Sequence, residues 1–279
     1  MKIPSSVGLL APVRSAACRR LLQELEAAFS AAGLEVREVS PRGLDDLLFG
    51  VPDVLLCLGG DGTMLGAAGL AARHGMILGG INMGHLGFLS ACGREEMQRL
   101  VDSLADGSYE VHSRSLLEVC SGAEPVAGVP NLALNEVALM RSQTGKMIDV
   151  DVEVDGRLLN RYHADGMLVA TPTGSTAYSL SAGGPLVWPS AGVMCLTPIC
   201  PHSLTNRSVV LPDSVEITLR PKERRGRSGQ ALIYSLDGLS THPIALNESL
   251  TIRKASAQLS LLALPQSDYA ARLRAKLGW

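Results

Sequence analysis

The chain has 279 residues, 46% apolar, 19% charged and 4% aromatic, enough to bury one large or two smaller cores built from Ala, Leu, Val and Ile. A formal net charge of −2 argues against bulk nucleic-acid or anionic-membrane binding as its main task. Cys18, Cys57, Cys92, Cys120, Cys195 and Cys200 form no C-x-x-C pair, and several lie in apolar runs. They read as buried thiols in a reducing compartment and not as a disulfide frame or zinc site. With no charged-then-apolar leader and no apolar run of spanning length, the expectation is a soluble cytoplasmic protein.

Val7–Leu10 reads as a short strand. Arg14–Ala32 reads as a helix, with Leu21, Leu25, Ala28 and Ala32 at helical spacing and Gly33 as its stop. Leu34–Val39 is the next strand, and Pro41 and Pro52 bracket a loop. Val54–Leu58 is a five-residue apolar run that breaks into Gly59-Gly60-Asp61-Gly62-Thr63, followed by a helical stretch from Thr63 to Arg73. Met76–Ile81 is another buried run, entering Asn82-Met83-Gly84-His85-Leu86-Gly87-Phe88-Leu89, and Arg94–Ala105 is a helix. Alternation of this kind predicts a parallel sheet with helices on both faces and ligands beyond the carboxyl ends of its strands.

From about residue 115 the pattern becomes mostly β. Ile148–Val154 alternates strictly and predicts a strand with one wet face, and Asp155-Gly156 after it signals a hairpin. Leu132–Met140, Met167–Ala170, Val215–Leu219, Ala231–Leu236, Leu250–Arg253 and Leu259–Leu264 read as further short strands. The basic run Lys222–Arg227 reads as a solvated hairpin tip, and Tyr269–Leu277 as a last helix packing back on the first domain.

Three stretches carry candidate chemistry. A strand turning through glycine into a helix points free N–H groups and positive dipole into the turn, which suits a phosphate. Asp61 is the odd feature there, because an acid repels phosphate unless it does chemistry, holds a cation or simply caps the helix. The second stretch, Asp165 through Pro185, again runs strand, glycine turn and small hydroxyl residues, suited to sugars and bases with Tyr178 as an apolar or stacking wall, or else a structural turn rich in Ser and Thr. The third is Asn135-Glu136, a polar pair inside an apolar strand, which is either an edge face or a ligand contact.

Taken together, Gly59–Thr63, Asn82–Leu89, Asn135-Glu136 and Asp165–Pro185, with Pro201-His202-Ser203-Leu204 and Asp237-Gly238, resemble the NAD kinase family from about residue 54 to Trp279. The GGDGT turn alone is shared with lipid kinases of the diacylglycerol and sphingosine type; the long Thr171–Pro185 signature behind an Asn-Glu pair is far more specific. The resemblance implies an α/β N-terminal domain with a parallel sheet, residues 1–112, and a β-rich NAD-binding domain, 113–262. It also implies a C-terminal segment, 263–279, returning to the first domain, with NAD held in the cleft between the domains. The implied reaction uses ATP, or polyphosphate, with Mg2+ to phosphorylate the 2′-hydroxyl of the adenosine ribose of NAD.

By resemblance, Asp61 is the general base, and Gly60, Gly62 and Thr63 lie in its nucleotide-binding turn. Asn135 and Glu136 hold ribose hydroxyls, and Asp165 receives the nicotinamide end. Thr176, Ala177, Tyr178, Ser179, Leu180 and Ser181 line the adenine and its ribose. Lys146 and His163 fall where many relatives place arginines near phosphate; His163 departs from that pattern, as does Leu239, where relatives often have glutamine. The expected assembly is a homodimer or homotetramer, with neither nucleic acid nor membrane as partner. A positioned carboxylate is a reasonable aid to a poor ribose nucleophile. Neither a Walker loop nor a G-x-G-x-x-G turn is present, and the histidines show no metal-ligand spacing. The expected metal is therefore the Mg2+ that arrives with the substrate. Two alternatives stay open: a lipid kinase, which would need an apolar acceptor pocket, and a non-catalytic dinucleotide sensor, which would have no use for an acid at 61.

Overall fold

A computed structural model describes residues 1–11, 15–39, 50–84, 87–122, 131–142, 147–203, 205–222, 232–246 and 248–279. Arg14, Pro41, His85, Leu86, Lys146, Leu204, Ala231 and all of the basic run after Lys222 lie outside these residues. The chain divides into two compact units, one of Met1–Ser113 with Leu259–Trp279, the other of Arg114–Gln258.

The first unit contains β1 (Ser6–Leu10), α1 (Ala16–Ala31), β2 (Glu35–Val39), β3 (Val54–Leu58), α2 (Asp61–His74), β4 (Ile77–Asn82), the short β5 (Cys92–Gly93) and α3 (Met97–Asp106). The strands lie parallel in the order β2-β1-β3-β4, and Ser260–Leu261 of the last strand add alongside β4. The parallel α/β arrangement is the one expected from the alternating pattern. Every residue of β1 and β3 is buried, as strands covered on both faces require. The helix α1 starts where the Ser15 hydroxyl accepts from the Cys18 N–H at 3.1 Å, and it buries Leu21, Leu25 and Phe29 along one stripe.

The second unit is antiparallel. It contains β6 (Glu110–Ser121, which begins in the first unit), β7 (Leu132–Ala133), β8 (Glu136–Arg141), β9 (Ile148–Val154), β10 (Arg157–Ala164), β11 (Gly166–Ala170), α4 (Tyr178–Ser181), β12 (Val193–Ile199), β13 (Val209–Pro212), β14 (Ile217–Lys222), β15 (Leu232–Leu236), β16 (Ser240–Ile244) and the start of β17 (Leu250–Ala263). One sheet runs β13-β12-β11-β8-β15-β16, and β10, β9, β14 and Leu250–Ile252 of β17 are successive neighbours in another. Val137, Leu139, Met167, Val169, Met194 and Leu196 from the first face Val150, Val152, Ile217, Leu219, Leu250 and Ile252 from the second in a single apolar core. The final helix α5 (Tyr269–Leu277) is grouped with the first unit, as expected.

Several expectations need correction. Leu132–Met140 is not one strand: it breaks at Leu134-Asn135, because a distant carboxylate takes the backbone N–H groups there. Leu250–Arg253 and the expected Leu259–Leu264 strand belong to one continuous strand that ends at Ala263; between them Ser256 and Gln258 are exposed and Lys254 pairs with Asp213 at 2.6 Å. The alternation of β9 is right, but its expected wet face is covered by charge pairs. Asp151 is buried, bonded by Arg161 Nε at 2.6 Å, and this bond holds its carboxyl below the usual range. Five of the six cysteines are buried or half-buried, and Cys200 is exposed; burial pushes the Cys57 and Cys92 thiols up to about 12. Among the described residues, no helix is long and apolar enough to cross a membrane.

Candidate active site

In the first unit the site is built where β3 runs out of side chains. Gly59 and Gly60 end the strand, and Gly60 is the N-cap of α2 with no side-chain cap bond. Nothing lies within 4 Å of where a Cβ would stand on Gly60 or Gly62, so the protein leaves the backbone of this turn open to a ligand. Asp61 is the first residue of α2, two residues earlier than the helix expected from Thr63. Its carboxylate does not cap its own helix. Instead Oδ2 accepts the Phe88 N–H at 2.8 Å and Oδ1 the Leu89 N–H at 3.1 Å. This removes the capping alternative: the acid is held by another loop and not by the N–H groups of its own helix. Gly87 makes the approach possible, since a Cβ there would stand 1.9 Å from Asp61 Oδ1. The loop is fixed from β4 as well, where Asn82 Oδ1 accepts the Gly84 N–H at 2.8 Å.

In the second unit, the turn after β15 places Asp237 in left-handed backbone (φ 53°) ahead of Gly238. Its carboxylate accepts the N–H groups of Leu134, Asn135 and Glu136 at 2.8, 2.7 and 3.0 Å. These three bonds end β7, carry the chain through Leu134-Asn135 outside the ladder and fix Glu136 as the first residue of β8. From the other side the Thr171 N–H donates to Asn135 O at 2.8 Å, and the Gly174 N–H donates to the Thr171 hydroxyl at 3.0 Å. A Cβ on Gly174 would stand 2.0 Å from Asn135 O, so the Thr173–Thr176 turn closes on this corner because residue 174 has no side chain.

The corner leaves unsatisfied acceptors. Glu136 is 6% exposed, and its Oε2 has no hydrogen-bond partner; the buried Thr173 Oγ1 has none either. Burial, reinforced by repulsion from Asp237 and opposed by the Tyr178 N–H, pushes the Glu136 carboxyl up to about 7. Burial raises Asp237 too, against the three backbone bonds. Buried polar atoms of this kind are uncommon in a folded chain and suit a hydroxyl-bearing ligand.

The structure therefore brings Asn135, Glu136 and the Thr176–Ser181 segment together. Tyr178 is 40% exposed and offers a ring face, whereas Ser179 is fully buried with its hydroxyl 3.3 Å from Thr197. Thr176 donates to Thr173 O at 3.2 Å; Ala177 and Leu180 are half-buried and Ser181 exposed. Asp165, between β10 and β11, is bonded by Arg141 Nη2 at 2.9 Å. His163 Nδ1 lies 2.7 Å from Asp149 Oδ1, and its ring centroid is 5.6 Å from that of His202. Lys146 lies outside the described residues. Asp237 and Arg141 were not among the expected site residues; the Asp-Gly turn at 237-238 was the visible signal for the first, and nothing local marks the second.

Comparison with known proteins bears directly on this geometry. Residues 45–109 match the model of the ATP-NAD kinase N-terminal domain and residues 134–264 that of the ATP-NAD kinase C-terminal domain. The chain is 43% identical to the NAD kinase of Cytophaga hutchinsonii over 82% of its own length and 77% of that protein's. Its fold superposes on yeast NADH kinase complexed with NADH at a TM-score of 0.85 and 24% identity, covering 99% of this chain and 88% of the other. An NAD kinase from Archaeoglobus fulgidus in complex with ATP matches at a TM-score of 0.75 and 26% identity, with 98% of each chain covered. The chain belongs to the NAD kinase family.

Proposed function

We propose that the chain transfers the γ-phosphoryl group of ATP to the 2′-hydroxyl of the adenosine ribose of NAD, giving NADP and ADP. The observation that carries this reading is the Asp61 carboxylate, held at an open glycine turn by two N–H groups of a neighbouring loop. As the ribose oxygen bonds to the γ-phosphorus, its proton passes to Asp61 and the bond from γ-phosphorus to the bridging oxygen breaks, releasing ADP. The free N–H groups at the start of α2 supply positive potential for phosphate. NAD kinases act with a divalent cation; here Mg2+ is taken as a substrate component carried by the ATP phosphates, consistent with a turn that offers one carboxylate and not a cage of oxygens.

In the second unit, Asn135 and Glu136 bind ribose hydroxyls, for which the unpartnered Glu136 Oε2 is ready. Asp165 accepts from the carboxamide of the nicotinamide end, steadied by Arg141, and Tyr178 stacks beside the adenine. His163, turned by Asp149, takes the place of an arginine near phosphate, and Lys146 is assigned to the same phosphates by family resemblance alone. We assign the protein to the cytoplasm and to a homodimer or homotetramer that covers exposed edges of the second unit. Family membership sets the lipid-kinase alternative aside, and a sensor would have no need of the Asp61 carboxylate. The test is incubation of the protein with NAD, ATP and Mg2+, with NADP read by an NADP-specific dehydrogenase. NADP should form only when both substrates are present; no signal above blank would contradict the proposal.

A further inference from the structure

We propose that Arg272, on the final helix, is a positioning residue for phosphoryl transfer, acting through the loop that holds Asp61; this rests on Asp61 being the base. Arg272 Nη1 donates to Phe88 O at 3.2 Å and to Ser90 O at 2.7 Å. The N–H groups of Phe88 and Leu89 point the other way, onto the two oxygens of Asp61. One three-residue segment is thus gripped on its carbonyl side by a cation and presents its donors to an anion. The Phe88–Leu89 peptide is held at both ends, its carbonyl by Arg272 and its N–H by Asp61, and such charge-assisted bonds polarise it in one sense and stiffen the segment.

The surroundings fit this role better than a packing one. The helix α5 has no buried residue, so it contributes little core. It meets the loop through Arg272 and through the ring of Tyr269, 6.3 Å from that of Phe88. The segment ahead of it is tied by Arg99 Nη2 to Pro265 O at 2.7 Å. Arg272 is half-buried, and burial lowers its guanidinium from the usual value against the opposing negative charges of Asp61 and Glu96. Ser90 is fully buried, so loss of the guanidinium leaves the Ser90 carbonyl without ready access to water and frees the loop to shift.

A shift of the loop moves Asp61 without touching either substrate, and displacements near 1 Å cost ~100-fold in rate. The expected signature is a kcat lowered about ten- to a hundred-fold in Arg272→Gln, with the KM values for NAD and ATP within about two-fold of wild type. Arg272→Lys, which keeps the charge and one donor, should recover part of the loss. The decisive measurement is a cycle of Arg272→Gln and Asp61→Asn, read as kcat on samples whose folding is checked by thermal unfolding and NAD binding. If Arg272 acts through Asp61, its substitution costs no further rate once Asp61 is Asn. An equal loss in both backgrounds, or no loss of kcat in Arg272→Gln, overturns the proposal while leaving the base reading intact. Near-normal turnover in Asp61→Asn alone removes the base reading, and this proposal with it. Should Arg272→Gln fail to fold, Arg272→Lys carries the same cycle.

Discussion

Glu136 makes the protein without ligand hold a carboxyl that prefers to be neutral, and this gives a stability test with a definite sign. Its carboxyl is pushed from an ordinary 4.5 up to about 7, chiefly by burial. That gap corresponds to ~3 kcal/mol between the charged and neutral forms. Because the folded value is raised, the stabilising contribution is fully present below pH 4.5 and is lost as the pH climbs to about 7. Glu136→Gln removes the charge but keeps the shape. Its stability relative to wild type should therefore rise by up to ~3 kcal/mol between pH 4.5 and pH 8. Asp237 titrates in both proteins, so most of its contribution cancels in the comparison. The assay is denaturant unfolding of both proteins without ligand at several pH values across that window. At pH 8, where the carboxyl is ionised, the same substitution should weaken NAD binding about ten- to a hundred-fold, since a charged acceptor for ribose hydroxyls contributes ~1.5–3 kcal/mol. Parallel stability curves for the two proteins across the window would refute the reasoning.

Gly174→Ala should lower stability by ~1–3 kcal/mol and weaken NAD binding, because the added methyl meets rigid Asn135 backbone at 2.0 Å; unfolding midpoint and NAD titration read the two effects, and an unchanged midpoint counts against the corner described. For assembly, light scattering at micromolar concentration should give a mass at least twice the 29.4 kDa of the chain, and a monomer mass counts against the proposed oligomer.

Much of this architecture was legible where a local signal and a tertiary need agree. The final helix runs Tyr269–Leu277 as its pattern indicates, with Asp268 as N-cap and Gly278 at φ 71° as its stop. The Asp155-Gly156 hairpin follows from two residues that accept positive φ. Val54–Leu58 is a buried strand because five apolar residues ahead of two glycines have few other options. Signals failed where the deciding partner is distant. The break at Leu134-Asn135 is made by Asp237, about a hundred residues later, and no local pattern announces it. Arg157–Ala164, Val209–Pro212 and Ser240–Ile244 are strands of mixed or polar exposure whose pairing comes from neighbours and not from alternation. The same holds for the site: Asp61 was visible as an acid in a phosphate turn, but its bonds to Phe88 and Leu89 and the Arg272 clamp behind them depend on loops brought together only by the fold.

Whether Asp61 takes the ribose proton is tested most directly by Asp61→Asn, with NADP formation and NAD binding measured on one folded sample across a Mg2+ series. The amide keeps the shape of the side chain and one oxygen to accept from the Phe88–Leu89 loop, but it cannot take a proton at neutral pH. Turnover should fall by at least ~100-fold while NAD still binds, and excess Mg2+ should not restore it. Near-normal NADP formation by the folded variant would contradict the assignment of Asp61 as the base.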